Sequence, residues 1–176
     1  MELIKKPILA IIIMSILWGY GWTSLKVGLI DAPPFKLTAL RLTLSAMFLL
    51  LLLPLTGRSL IPPRLKELFL LGFVHTSLLF CLSTWAVSEG SAGRVAFMVY
   101  TMPFFTILFA RIFLSEIIER LQWVAIVAAA IGLVLIVQPW GFHGNHLSSA
   151  LSVGAGIVWA LGAIMVKRLQ EREPMD

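Results

Sequence analysis

The stretch ILWGYGWTSLK at residues 16–26 has a near copy, IVWALGAIMVK, at residues 157–167. Both fit the pattern I-x-W-x-x-G-x(4)-K, and 141 residues separate them. Two explanations are open: a true internal repeat, or chance, because Trp, Gly and Lys are common at such places in membrane helices. The matching positions are Trp18 with Trp159, Gly21 with Gly162, and Lys26 with Lys167.

The composition indicates a membrane protein. Hydrophobic residues make up 59% of the chain and charged residues 13%, whereas soluble domains are about 45–50% apolar and about 25% charged. The mean hydropathy is +0.95. We therefore expect the lipid bilayer to be a partner. We interpret the net charge of +5 as a sign of membrane orientation rather than of nucleic-acid binding.

Apolar stretches recur along the chain between short polar or Pro- and Gly-containing breaks. They do not alternate as transmembrane strands do, and each has close to the ~20 residues that a membrane-spanning helix needs. The sequence predicts an all-α, polytopic membrane helix bundle of six transmembrane helices, the first retained rather than cleaved as a signal peptide. The predicted spans are 7–28, 36–56, 67–88, 94–114, 121–139 and 147–167.

Basic residues predict the orientation. With a cytoplasmic N-terminus, ten of the 14 fall at cytoplasmic helix ends and four at outer ends, and the opposite orientation would violate the positive-inside rule. Both termini are therefore predicted to be cytoplasmic. The ten are Lys5, Lys6, Arg58, Arg64, Lys66, Arg111, Arg120, Lys167, Arg168 and Arg172, and the four are Lys26, Lys36, Arg41 and Arg94.

The span count gives the repeat a direction. Five predicted spans precede the second copy, so it crosses the membrane in the opposite sense to the first. This is the signature of an inverted-topology repeat, a common construction in secondary transporters, which place the substrate path near the midplane between the two halves. The predicted domains are residues 1–140, a complete five-helix repeat, and 141–176, the first helix of an incomplete second repeat plus a cytoplasmic tail.

Three segments carry a resemblance to a known family. Residues 16–29, 33–52 and 85–136 resemble, in order, the first helix, the second helix, and the third-helix end to fifth helix of EamA-type transporters in the drug/metabolite transporter (DMT) superfamily. The resemblance implies two five-helix repeats and transport of small metabolites, most commonly export of amino acids or similar solutes. This chain departs in length, which predicts either a missing second half or a homodimer. The positions that carry the resemblance include Pro34, Arg41, Pro103, Glu116, Gln122 and Gly132.

The sequence contains no enzyme motif. It lacks G-x-S-x-G, H-E-x-x-H, a P-loop and paired carboxylates within a span. Cys81 is the only cysteine, and His143 with His146 are too few ligands for a metal site. We expect neither an enzyme nor an ATP-driven pump, and we expect no cofactor and no metal.

Three basic residues on the outer side are candidates for the substrate path: Lys26, Arg41 and Arg94. An ionisable residue inside a span is a functional candidate. The structural alternative is snorkelling, or pairing with Asp31 and Glu89. A vestibule shared by the three cations would attract carboxylates.

The fourth predicted span contains Pro103, whose missing N–H predicts a kink that frees the carbonyl of Val99. Tyr100 and Thr101 lie beside it and are candidate substrate contacts, although a kink that serves only packing is equally consistent. Aromatic and small residues complete the predicted path, with interfacial or packing roles as the alternative. These are Trp18, Gly21, Trp22, Trp85 and Trp159.

The first and sixth predicted spans also carry small residues at four-residue spacing, which predicts close helix approach, either to one another or to equivalent partners. The two stripes are Ser15, Gly19 and Thr23 in the first span, and Ser152, Gly156 and Ala160 in the sixth.

His75 is interpreted as a neutral side chain hydrogen-bonded to a neighbouring helix, with a proton shuttle as the alternative. Glu116 has Arg120 four residues on and Arg111 five before, and it is interpreted as a cytoplasmic helix-end anchor in which an i,i+4 pair contributes little.

These observations predict a secondary transporter of small-molecule metabolites in the bacterial inner membrane, acting by alternating access around a midplane site. The alternative is a non-transporting membrane protein, either an accessory subunit or an inactive remnant.

Overall fold

The structure, a computed structural model, describes residues 2–57, 64–137 and 145–172. Regular structure in these ranges is helical, with no strand, which confirms the predicted all-α bundle. The helices are α1 (Glu2–Gly28), α2 (Pro34–Leu52), α3 (Leu65–Leu71), α4 (Leu79–Glu89), α5 (Ala92–Val99), α6 (Met102–Phe113), α7 (Arg120–Val137) and α8 (His146–Arg172); a π-helix, Gly72–Leu78, joins α3 to α4, and a 3₁₀ turn, Pro54–Thr56, follows α2.

Five continuous stretches among the described residues are long and apolar enough to cross a membrane. They correspond to α1, α2, α3–α4, α5–α6 and α8, and α7 is a further apolar helix of 18 residues. Large apolar side chains on the outer faces of α1 and α2 are exposed, including Met14 and Leu51. Together with five helices of membrane-spanning length, surfaces this apolar indicate contact with lipid tails, so the chain is an integral membrane protein.

Two of the spans are irregular. The third contains the π-helix, in which each turn holds an additional residue. The fourth is broken at Tyr100–Thr101, where the Thr101 amide donates to the carbonyl of Met98 at 3.1 Å instead of continuing the α-helical pattern. Pro103 lies in the first turn of α6, where its missing N–H removes no helical hydrogen bond. The predicted kink is therefore a break between two helices.

Polar side chains define two of the helix starts. The Ser91 hydroxyl accepts a hydrogen bond from the backbone N–H of Arg94 at the start of α5. The Asn145 side chain accepts from the N–H of Leu147 at 2.8 Å at the start of α8. Several predictions fall outside the described residues: the position of Arg58, most of the turn at 141–145 with His143, and the boundary between the two predicted domains.

The core lies where α8 packs against α4 and α5, with Leu25 of α1 beside them. Ala86 and Val87 of α4 and Ala155 of α8 are fully buried. The Ser148 hydroxyl of α8 donates to the carbonyl of Ala86 at 2.8 Å, beside Gly90, whose missing side chain makes room for Ser148. The last helix is thus the centre of the described bundle.

The two small-residue stripes have different environments. Ser152, Gly156 and Ala160 of α8 are buried, and a Cβ at Gly156 would lie 2.7 Å from the Thr101 hydroxyl oxygen. The stripe on α1 is exposed along its length. The prediction of close approach is confirmed for α8, whose partner is the α5–α6 break. The two stripes do not pack against each other.

Candidate functional site

A cavity of about 400 Å³ lies between α1, α2, the π-helix with α4, α5 and α8. This volume is in the range of small-molecule sites, which are typically about 300–1,000 Å³. The walls are mainly apolar: α1 contributes Leu17 and Leu25, α4 contributes Leu79, and α5 contributes Val99. Five helical segments therefore border one space.

Tryptophans from the two copies of the repeated motif meet at this cavity. The rings of Trp18 in α1 and Trp159 in α8 have centroids 5.7 Å apart and an interplanar angle of 36°, within the range of favourable aromatic contacts. Trp22, one turn further along α1, lines the same space. Two matching residues that lie 141 positions apart in the sequence are therefore in direct contact in the structure.

The glycines of the two copies have different surroundings. Gly21 lines the cavity, and a Cβ added there would meet nothing within 4 Å outside its own helix. A Cβ at Gly162 would overlap the imidazole ring of His75. Gly21 therefore leaves the cavity open, whereas Gly162 allows the π-helix to approach α8.

The π-helix places His75 at the cavity wall. The ring packs on Gly162 and lies next to the carbonyl of Trp159. Its Nδ1 is enclosed and makes no regular hydrogen bond within the described residues. π-Helical turns are rare and frequently occur at functional sites, so His75, which the sequence suggested as a structural histidine, is also a candidate solute contact.

Arg41 of α2 is the one charged side chain among the described residues that line the cavity. Its guanidinium carbon lies 5.7 Å from the centroid of the Phe80 ring, within cation–π distance. It forms no hydrogen bond or ion pair with any residue of the three described ranges. Thr76 and Ser83 add hydroxyl groups to the wall. The cavity is therefore an aromatic pocket with a small set of polar groups and one positive charge.

Comparison with known proteins identifies the family. The model of the EamA-like transporter family matches residues 5–138. This chain belongs to the EamA-like transporter family. The resemblance drawn from the sequence is thereby confirmed.

Individual relatives of this EamA-family chain carry transporter names. It is 30% identical to the uncharacterized transporter YoaV of Bacillus subtilis over 74% of this chain and 46% of YoaV. It is 27% identical to the uncharacterized inner membrane transporter YedA of Escherichia coli K12 over 91% of this chain and 53% of YedA. A probable amino-acid metabolite efflux pump of Salmonella typhimurium is 28% identical over 97% of this chain and 56% of that protein.

The chain thus spans about half the length of the curated relatives it matches. No solved structure gives a significant match.

Of the eleven predicted path residues, the structure brings five to the cavity. They are Trp18, Gly21, Trp22, Arg41 and Trp159. Sequence reasoning did not propose Thr76, Phe80 or Ser83, whose participation depends on which face of the third span turns inward.

The other six path residues lie elsewhere. Lys26 donates hydrogen bonds to the carbonyls of Val87 at 2.9 Å and Gly90 at 2.8 Å, at the C-terminal end of α4. Trp85 packs edge-on against Phe35, with centroids 5.6 Å apart. Arg94 lies in the first turn of α5. Of the three cations proposed for a shared vestibule, only Arg41 lines the cavity.

Three path residues surround the break in the fourth span. Tyr100 lines a separate groove with α1, and the enclosed hydroxyl of Thr101 lies against Gly156. Pro103 lies in the first turn of α6 and lines neither space among the described residues. The geometry of the break favours its packing role with α8.

Glu116 anchors helix ends, as interpreted from the sequence, although the partner of its carboxylate is not Arg120. Glu116 lies in the loop between α6 and α7, not in a helix, so it cannot form an i,i+4 helical pair with Arg120. Its carboxylate pairs with Lys167 of α8, and its backbone carbonyl accepts from Arg111 at 3.1 Å. Arg168 donates to the carbonyl of Phe113 at 2.6 Å. These contacts tie the end of α8 to the end of α6.

Proposed function

We propose that this chain supplies half of a secondary transporter that exports small organic metabolites such as amino acids. Solute would bind in the cavity, and access would alternate as the repeat-related helices α1 and α8 rock around it. The observation that carries this proposal is the contact of Trp18 with Trp159 at the wall of a cavity of ligand size. The printed name of the Salmonella relative, a probable amino-acid metabolite efflux pump, supports the solute class.

A second five-helix repeat, of which α8 is the first helix, would complete the transporter. In an inverted repeat, α1 and α8 have equivalent partners. The buried stripe of α8 packs on the α5–α6 break, so the exposed stripe of α1 would pack on the corresponding break of the second unit. The length of the relatives, about twice the matched region, supports a second half of the same transporter as the occupant.

Mass measurement of the purified complex tests this assembly. A ten-helix assembly supports it, and a homodimer of the six-helix chain would assign the stripe to a second copy instead.

We also propose that the protein lies in the bacterial inner membrane with both termini in the cytoplasm. The distribution of basic residues supports this orientation, and YedA is named as an inner membrane transporter. Fusion of alkaline phosphatase after Ile30 and after Glu119 tests it. Activity is expected only for the Ile30 fusion, because phosphatase folds on the outer side, and the reverse pattern would overturn the orientation.

Filling the cavity tests the transport proposal. Gly21→Leu would place a side chain in the cavity, and Gly93→Leu is a matched control because Gly93 does not line it. Neither glycine has an atom within 4 Å of an added Cβ outside its own helix. In cells challenged with toxic amino-acid analogues, we expect Gly21→Leu to abolish export and Gly93→Leu to retain it. Full export by Gly21→Leu would contradict the proposal, and no export by the unmodified protein would favour a non-transporting role.

A further inference from the structure

We infer that the cavity takes a solute with one carboxylate, or a comparable small anionic group, joined to an apolar body of about aromatic size, and that Arg41 binds the anionic end. This inference rests on the transport function proposed above. It assigns a chemical class to the solute and a specificity role to one side chain.

The charge distribution supports an anionic solute. Arg41 is half-buried within the second span, where an uncompensated guanidinium is costly. Among the described residues, the one interaction of its guanidinium is the cation–π contact with the Phe80 ring. No Asp or Glu belongs to the described cavity wall. A guanidinium has five N–H donors and binds carboxylates with two parallel hydrogen bonds. A bound carboxylate would supply the missing counter-charge.

The aromatic wall supports an apolar body. Trp18, Trp22, Trp159 and Phe80 all line the cavity, and aromatic side chains favour flat apolar groups through stacked or edge-on contacts. An aromatic cage of this kind can also bind cations. The positive charge of Arg41, without an acidic residue in the described wall, opposes a cationic solute and favours an anionic one.

A matched set of probes separates these features. 3-Phenylpropionate has both the carboxylate and the aromatic body, 3-phenylpropanamide is its neutral analogue, 3-phenylpropylamine is its cationic analogue, and acetate lacks the body. Binding is measured by quenching of tryptophan fluorescence in the full transporter in phosphatidylcholine nanodiscs. The variants are Arg41→Gln, Arg41→Lys and the control Lys36→Gln, which removes an exposed charge from the same helix.

We expect 3-phenylpropionate to bind about tenfold or more tightly than its amide, because a carboxylate forms a bidentate pair of opposite charges with the guanidinium, whereas the neutral amide offers one carbonyl acceptor and no negative charge. Arg41→Gln should bring that ratio close to one, Arg41→Lys should retain part of it, and Lys36→Gln should leave it unchanged. The ratio is measured within each variant, so partial loss of folded protein does not alter it.

Four results would overturn the inference. Equal saturable binding of the acid, amide and amine would remove the anion assignment and leave the transport proposal standing. An unchanged ratio of acid to amide affinity in Arg41→Gln would show that a group other than Arg41 binds the carboxylate. Competition by phosphatidylglycerol that depends on Arg41 would assign the guanidinium to a lipid headgroup. Absence of saturable binding by every probe would overturn both this inference and the cavity as a solute site.

Discussion

Gly162→Ala is the substitution for which the structure makes the sharpest stability prediction. A methyl group at this position would overlap the His75 ring and would lie 2.5 Å from the His75 Cβ. His75 belongs to the π-helix, and α8 is the helix on which most of the described bundle packs. Neither neighbour can withdraw without disturbing the packing between the third span and α8.

The repeat offers a matched control in Gly21→Ala. Both substitutions remove a glycine from a helix interior, which contributes about 1 kcal/mol in favour of alanine. Only Gly162→Ala adds the overpacking cost, which is typically about 1–3 kcal/mol and occasionally more. Relative to Gly21→Ala, we therefore expect Gly162→Ala to be less stable by about 1–3 kcal/mol, or about 2–12 °C in Tm for a protein of this size.

Thermal unfolding in detergent, followed by tryptophan fluorescence, measures this difference. Adding His75→Ala to Gly162→Ala removes the ring and should recover part of the lost Tm, because only the contact at Cβ remains. Equal Tm values for the two glycine variants, or no recovery in the double variant, would refute the packing of the π-helix on α8.

Two further predictions concern single polar groups. Lys26→Gln should destabilise the protein by about 1–3 kcal/mol, because two carbonyls at the end of α4 lose a charged donor. Lys167→Gln, at the matching position of the repeat, should leave Tm unchanged because the ion pair of Lys167 is exposed. Equal Tm losses in the two variants would contradict this difference. Thr84 is fully buried, and its hydroxyl has no hydrogen-bond partner among the described residues. Thr84→Val should therefore leave Tm unchanged or raise it. A Tm loss of several degrees would show that the hydroxyl forms a hydrogen bond.

Much of the architecture follows from the sequence because the bilayer restricts the choices. A chain that is 59% hydrophobic with recurring apolar stretches must satisfy its backbone within helices. The repeated motif matched Trp18 with Trp159, both were proposed as path residues, and the structure places their rings in contact. Composition and spacing are thus sufficient for the helix bundle and for two cavity residues.

The remaining features depend on rotation about helix axes, which apolar spans do not encode. A span that is hydrophobic on all sides gives no sign of which face turns inward, so Phe80 and Ser83 were not proposed. Lys26 was proposed as a path residue, and its carbonyl acceptors on α4 become evident only when the helices are packed. Likewise, no pattern in residues 72–78 predicts the π-helix that positions His75.

A structure determined with a transported solute would test the central claim most directly. We predict that the solute lies in the cavity between α1 and α8, in contact with Trp18 and Trp159, with its anionic group within about 3 Å of the Arg41 guanidinium. A solute bound outside this cavity, for example in the groove beside Tyr100, would contradict the account.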